Sequence, residues 1–344
     1  MNNQKNKILL SIAIPTYNRD EYLYRCLSYL FAQCISQHSL LEIIVSDNGS
    51  TDKTFDVVSH FKKKGLNIQY IKNNENKGMD FNFSQCYLKS KGNYIVTFSD
   101  DDIFFPGAIE KILTILKENK NYGVIHLNSK YISKIILGEE LKIENISIPK
   151  VSISVYNDSL SILNRINHWV SYISGNIINK KFVNEKLLID SSGTCIAHVP
   201  LILNAIILSK ENVVVETPLI GMQLGNSGGY NILKTFGFDF IRILENYDYK
   251  INNIITNYII FDSLPSCIHS LRSNSHQYIE EKKPELLLKD SFNNSLKFQL
   301  ILYPLIKMPK LFVKLFIIFI KIFNYSRKAV LNLFYSKGII RKKI

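Results

Sequence analysis

The chain has 344 residues, 46% of them hydrophobic, which is enough to bury a core in one large or two modest domains and argues against a disordered chain. Of the formal net charge of +13, residues 1–290 carry only +2; from Ser291 onward eleven Lys and Arg stand without a single Asp or Glu. Five scattered cysteines with neither CxxC nor zinc-ligand spacing argue against a disulfide framework and read as reduced thiols of a cytosolic chain, and the opening MNNQKNK carries no apolar signal region.

The first 130 residues alternate two periods. ILLSIAIPTYN is an apolar run ended by Pro15, hence a strand and then a loop. Tyr22, Leu23, Cys26, Leu27, Leu30 and Phe31 then recur on one helix face. LLEIIVS is a second strand, and DNGSTDKT is turn chemistry in which Ser50 or Thr51 is placed to cap a helix bearing Phe55, Val58 and Phe61. LNIQYIK is a third strand, followed by a helix over MDFNFSQCYLKSKG that Gly92 is expected to close. NYIVTFS is a fourth strand, PGAIEKILTILKEN a helix with Pro106 in its first turn, and YGVIHLN closes the series. Strands alternating with helices through short loops predict an α/β domain with a mostly parallel sheet. Residues 130–235 pattern more weakly, and 236–290 read as mainly helical.

In open α/β sheets ligands bind at the carboxyl ends of the strands. Here those ends read PTYNRDE, SDNGSTD and SDDD. Singly, SDNGSTD reads as a turn and helix cap, and SDDD as a solvated loop. Together at successive strand ends they have the composition of a pocket for a nucleotide and a divalent cation. One carboxylate can accept from a base N–H, another from ribose hydroxyls, and a third can ligate Mg²⁺ or Mn²⁺ against a diphosphate.

SIAIPTYNR, EIIVSDNGSTDKT and NKGMDFNFSQCYLKSKGNYIVTFSDDDIFFPGAIEKI resemble, in order and spacing, the nucleotide-binding half of the family-2 glycosyltransferases; the resemblance is close over residues 8–120 and fades beyond 170. It implies the GT-A fold, a Rossmann-like nucleotide-binding sheet, and the branch most similar is the abequosyltransferase-like one that builds bacterial O-antigens. On this resemblance the catalytic domain spans 1–235, with a nucleotide-sugar half at 8–130 and an acceptor half at 131–235. A helical extension follows at 236–295, then a basic amphipathic tail at 296–344. Pro15, Thr16 and Tyr17 match the segment that packs on the base, Asp47 the acid that bonds it, and Lys77 a polar or basic position near base or phosphates. Asp100 would face the ribose, and Asp101, with Asp102 as a second ligand or a cap, would hold Mn²⁺ or Mg²⁺. Ser99 stands where many members have the first Asp of Asp-x-Asp-Asp. The usual Glu-Asp pair bearing the catalytic base is missing; SSGTCIAHVPLIL puts His198 in its place, with Asp190 as the substitute. The unperturbed imidazole pKa near 6.5 suits a base at neutral pH, while the bland alternative is a helix-capping or core-edge histidine. In the Gly-rich GMQLGNSGGY, Asn226 and Ser227 are candidate donors to the donor phosphates; an ordinary flexible loop is the alternative.

In the tail, Lys307, Lys310, Lys314, Lys321 and Lys328 fall within an arc of about 60° on a helix whose remaining surface is Leu, Ile, Phe and Val. They interrupt the apolar run too often for a spanning helix and suit one lying in a bilayer interface, with RKKI adding attraction to anionic lipid; packing on the domain is the alternative. No nucleic-acid motif is present. The expected function is metal-dependent, inverting transfer of a sugar from a nucleotide-diphosphate donor to a polyisoprenoid-linked saccharide, at the cytoplasmic face of the inner membrane. The alternatives are a nucleotidyltransferase on a related fold, which lacks support from any Lys-containing phosphate loop, and an inactive sugar-nucleotide-binding protein.

Overall fold

The computed structural model describes residues 8–34, 39–118, 121–132, 150–223, 230–272, 284–293, 295–335 and 339–344. Their strands are β1 (Leu10–Thr16), β2 (Leu41–Asp47), β3 (Ile68–Lys72), β4 (Tyr94–Thr97), β5 (Ile103–Phe104), β6 (Val124–Ile132), β7 (Ser152–Tyr156), β8 (Asn176–Asn179), β9 (Asn212–Gln223) and β10 (Ile340–Lys343). They form one sheet in the order β10-β7-β9-β6-β8-β4-β1-β2-β3, with β5 paired to β9. The helices between the early strands are α1 (Asp20–Cys34), α2 (Thr54–Lys63), α3 (Met79–Lys89) and α4 (Ala108–Lys117). The later ones used below are α5 (Ser159–Ile166), α6 (Glu185–Asp190) and α7 (Val199–Leu208).

The four strands that the alternating periods predict are all parallel, in the order β3-β2-β1-β4. Residue by residue, Thr16 stands opposite Asp47, so the carboxyl ends of β1 and β2 are level. The strand over YGVIHLN does not join β4 directly: β8 is inserted between them, antiparallel to both. The second half thus makes the sheet mixed, with β6 parallel to β9 and β7 antiparallel to it.

Because strand side chains alternate, the sheet carries a core on each face. Ile12, Ile14, Val96 and Val215 pack with Leu23, Leu27 and Leu30 of α1 and Ile109 and Ile112 of α4. Ile95, Ile178 and Val214 on the other face pack with Ile162 of α5, Ile202 of α7 and the helices after residue 240.

Two local expectations are corrected. Gly92 does not end α3, whose C-cap is Ser90; it lets the chain pass β1, where a Cβ would lie 2.6 Å from Ser11 Oγ. Neither Ser50 nor Thr51 caps α2. Asp52 Oδ1 accepts from Thr54 N at 3.0 Å, while Ser50 Oγ accepts from Asn18 N at 2.8 Å and so ties two loops together.

The tail forms a helix over Lys310–Tyr335. It packs on the domain through Val313, Ile317, Ile320 and Asn324, helped by a Lys328–Asp262 ion pair at 2.7 Å. Its opposite face stays exposed: Leu311, Phe312, Leu315, Ile318, Phe319, Ile322, Leu333 and Phe334. Lys310, Lys314 and Lys321, also exposed, run along one flank. Among the described residues no helix is long and apolar enough to cross a membrane. The three basic residues of RKKI lie in strand β10, antiparallel to β7, with Arg341 opposite Ser154 and Lys343 opposite Ser152.

Candidate active site

Three loops meet at the carboxyl ends of β1, β2 and β4. The first two are knitted together before any ligand arrives: Asn48 N donates to Thr16 O (3.0 Å), Thr51 N to Asn18 Oδ1 (2.8 Å) and Asp20 N to Asp52 Oδ2 (3.0 Å). Asn48 ties in the third strand's loop, since its Oδ1 accepts from Asn73 Nδ2 (3.0 Å) and Lys77 N (3.1 Å) and its Nδ2 donates to Asn76 Oδ1 (2.7 Å). This tight junction requires Gly49, at φ +84°, where a Cβ would lie 2.7 Å from the Glu75 carbonyl carbon.

Of the candidates for the base, Tyr17 is exposed and Pro15 half-buried at the rim, while Thr16 is buried. Asp47 is fully buried: Oδ1 accepts from Ser50 N at 2.8 Å and Oδ2 from Tyr70 OH. Each oxygen keeps a second lone pair. Lys77 is exposed, its ammonium 4.9 Å from the centre of the Phe81 ring.

The chain leaves β4 along β1, with Phe98 N donating to Ala13 O at 2.8 Å, which brings the acidic run beside Thr16. The three carboxylates then diverge. Asp100 accepts from Thr16 Oγ1 (2.8 Å) and pairs with Arg19 Nε (3.0 Å). Asp101 pairs with Arg19 at 3.2 Å and accepts from Ser99 Oγ. Asp102 turns toward the other half of the molecule, accepting from Tyr172 OH (2.8 Å) and Gln223 N (3.4 Å). Burial pushes Asp100 up to about 7 against the pull of Arg19, and burial together with the Asp101 charge pushes Asp102 up to about 7. Arg19 and Arg25 partly offset the repulsion. Both guanidinium groups lie over the Tyr22 ring, 4.5 and 5.6 Å from its centre, and Arg25 donates to Asp101 O.

These residues answer to a divalent cation in one particular way. The donors are carboxylate oxygens, the hard ligands that Mg²⁺ and Mn²⁺ prefer. Among the described residues, no group of three His, Cys, Asp or Glu stands ready to hold a metal by itself. Asp100 and Asp102 are committed to protein partners, and Asp101 is the least buried of the three. One or two carboxylates plus substrate phosphates is an ordinary Mg²⁺ arrangement, so the residues fit a cation shared with a diphosphate rather than an all-protein cage.

His198 stands just before α7 and is 1% exposed. Its Nε2 lies 3.0 Å from Ser171 O; a carbonyl only accepts, so Nε2 carries the proton and Nδ1 is the basic nitrogen. Nδ1 is buried without a hydrogen-bond partner, the Phe83 ring stands edge-on at 5.6 Å, and burial lowers the pKa below the ordinary histidine value. Asp190, the last residue of α6, is exposed. Asn226 and Ser227 lie outside the described residues.

Several residues of this neighbourhood have no role in the sequence reading. Arg19, just before α1, and Tyr22 and Arg25 in its first turns are spaced by three, a pattern that sets two cations about one ring. Asp80, in the first turn of α3 and 6% exposed, accepts three backbone N–H bonds, from Gly193 (2.8 Å), Cys195 (2.8 Å) and Ala197 (3.2 Å). It thereby holds a segment with two positive φ angles, Gly193 at 88° and Cys195 at 63°, immediately before His198. Tyr172 and Ser174 carry Asp102 and Ser99; no spacing in the sequence links them to the acidic run.

The family model for Glycosyl transferase family 2 matches residues 11–187. Abequosyltransferase RfbV of Salmonella typhimurium is 34% identical over 111 residues, 32% of this chain and 33% of that protein. The chain spans 18% to 36% of the length of the first curated relatives it matches. Among solved structures, S. aureus TarS 1–349 in complex with UDP-GlcNAc superposes with a TM-score of 0.57 at 16% identity, over 91% of this chain and 89% of that one. The mannosyltransferase PcManGT from Pyrobaculum calidifontis, in complex with GDP-Man and Mn2+, gives 0.50 at 11% identity over 96% and 88%. At these identities the two structures establish the shared GT-A fold.

Proposed function

The chain belongs to Glycosyl transferase family 2 and is a glycosyltransferase, and on that premise we propose that it moves a sugar from a nucleotide-diphosphate donor to a lipid-linked saccharide in assembly of a bacterial surface polysaccharide. The observation that carries this reading is the meeting of Thr16, Asp47 and Asp100–Asp102 at the level ends of adjacent parallel strands. The named relatives support it: RfbV is an abequosyltransferase, and TarS and PcManGT hold UDP-GlcNAc and GDP-Man.

In this reading the base lies against Pro15, Thr16 and Tyr17 and is bonded by Asp47, with Lys77 alongside. Asp100 faces the ribose, and Asp101 would hold Mn²⁺ or Mg²⁺, with Asp102 a second ligand once it releases Tyr172 or Gln223 N; the cation would neutralise charge on the diphosphate leaving group. Arg19 already spans Asp100 and Asp101 and keeps both carboxylates oriented toward one another before the donor arrives. Asn226 and Ser227, outside the described residues, are the candidate donors to the donor phosphates. The acceptor hydroxyl attacks the anomeric carbon from the face opposite the nucleotide and yields its proton to His198, with inversion; Nδ1 is the atom that accepts it, since Nε2 is occupied by Ser171 O. The imidazole is closed off in this conformation, so the acceptor must open the packing around Phe83 to reach it. Asp190 is the substitute base.

The exposed face of the C-terminal helix, with its lysine flank, supports peripheral attachment at the cytoplasmic face of the inner membrane, where a polyisoprenoid-linked acceptor is presented. The test is release of nucleoside diphosphate from a panel of UDP-, GDP-, CDP- and dTDP-sugars, with and without lipid-linked saccharide. Acceptor-stimulated turnover of one donor is expected, lost in His198→Ala and kept in Asp190→Ala. Turnover of none with every acceptor would defeat the reading, and full activity of His198→Ala would remove His198 as the base.

A further inference from the structure

A cavity of about 640 Å³ opens where β7, β9, β10, α5 and the end of the C-terminal helix meet, and none of its lining residues belongs to the site described above. Arg165, Arg341, Lys342 and Lys343 line it against a single carboxylate, Glu216. That carboxylate is already engaged: Oε1 accepts from Ser154 Oγ at 2.8 Å and Oε2 pairs with Arg165 at 2.6 Å. Residues directly opposite on paired strands share a face, so Arg341 and Lys343 stand on the same side as Ser154 and Ser152. Among the described residues, Arg341, Lys342 and Lys343 form no ion pair. The surplus of positive charge is therefore concentrated in a concave space with hydroxyl donors, a recipe for binding an anion. Burial and Glu216 raise the Tyr156 pKa, against the pull of Arg165 and Arg341.

The anion's class follows from what adjoins the cavity. Asn332 and Tyr335 of the C-terminal helix line it, and between them Leu333 and Phe334 are exposed on the helix's apolar face. We propose that the cavity binds a phosphate group, that of an anionic lipid whose acyl chains lie along the C-terminal helix. The lipid source rests on the peripheral-membrane part of the preceding reading; the alternative source of the same chemistry is a soluble phosphate compound.

The experiment compares wild type, the cavity pair Arg341→Gln/Lys343→Gln and the equally discharged flank pair Lys310→Gln/Lys314→Gln. All four side chains are exposed, so folding is not at stake. Flotation is measured with phosphatidylcholine vesicles and with vesicles containing phosphatidylglycerol, and binding of inorganic pyrophosphate is measured by calorimetry without vesicles. The cavity pair is expected to lose roughly tenfold to thirtyfold in partitioning to the anionic vesicles, and the flank pair clearly less. Unchanged flotation with pyrophosphate binding that the cavity pair abolishes would support the site and assign it a soluble ligand. Equal losses in the two pairs, or no dependence on the cavity pair in either assay, would overturn it. If wild type floats with no vesicle, the membrane reading fails by itself and calorimetry alone decides the cavity.

Discussion

Replacing Asp80 with Asn changes one oxygen to an amide nitrogen at a carboxylate that holds three backbone N–H groups. Bonds to a charged acceptor are worth about 1.5–3 kcal/mol each, and neutral ones roughly half. The Asn oxygen can keep the two bonds now made by Oδ2, to Gly193 and Cys195, at reduced strength. Its NH₂ then meets the Ala197 N–H donor to donor, at a position buried in the structure. Losing one bond outright and weakening two gives about 3 kcal/mol at the lower end of these values. The strain of the positive-φ residues Cys195 and Gly193 is then no longer opposed by the same anchor. Two readouts divide this cost. Hydrogen exchange at Gly193, Cys195 and Ala197 should accelerate by about a hundredfold if the segment opens locally, and urea unfolding should shift by up to the full amount if it opens with the domain. Sugar transfer should fall because His198 follows this segment, while nucleotide affinity stays close to wild type. An Asp80→Asn protein with unchanged exchange, unchanged stability and unchanged turnover would refute the anchoring role.

Burial holds the His126 imidazole down at about 4, below its unfolded value of 6.5, so the unfolded chain binds the extra proton between those pH values. Its contribution is fully present above pH 6.5 and is lost as pH falls toward 4; in His126→Gln, which can still donate to Asn176 Oδ1, the drop in urea stability between pH 7 and pH 4.5 should be smaller by about 3 kcal/mol. An identical pH profile would contradict that assignment. Leu315 and Phe319 are 65% and 64% exposed on the C-terminal helix, so Leu315→Ser/Phe319→Ser should weaken vesicle flotation by tenfold or more at unchanged thermal stability. Loss of stability without loss of flotation would mean that the face packs within the protein. Gly49→Ala should cost several-fold in nucleotide affinity through the clash with Glu75, read by calorimetry; wild-type affinity would show that the two loops are not coupled.

The parallel half of the sheet and the positions of Thr16, Asp47 and Asp100–Asp102 were legible because apolar runs end sharply in Pro, Asn, Asp and Gly. Strand β8 between β4 and β6, and the return of residues 340–343 to pair with β7, were not: antiparallel partners far apart in sequence leave no period to read. The cations offsetting the acidic run were hidden for a related reason. Arg19 just before α1 and Arg25 within it stand where charge is usually a solvated face, and only tertiary contacts bring them inward. Asp52 fastens α2 where Ser50 and Thr51 were expected, because Ser50 is drawn to Asn18 across the two loops. For the tail, the apolar helix was legible, but not the side that packs: Val313, Ile317 and Ile320 are chemically like the residues left outside.

In the proposed function the acidic run after β4 holds a nucleotide diphosphate together with a divalent cation. Calorimetric titration of UDP, GDP, CDP and dTDP with and without Mn²⁺, on wild type and Asp101→Ala, tests it most directly. Tight, Mn²⁺-dependent binding of one nucleotide is expected, weakened at least a hundredfold in Asp101→Ala. No binding of any nucleotide, or metal-independent binding that Asp101→Ala leaves intact, would contradict it.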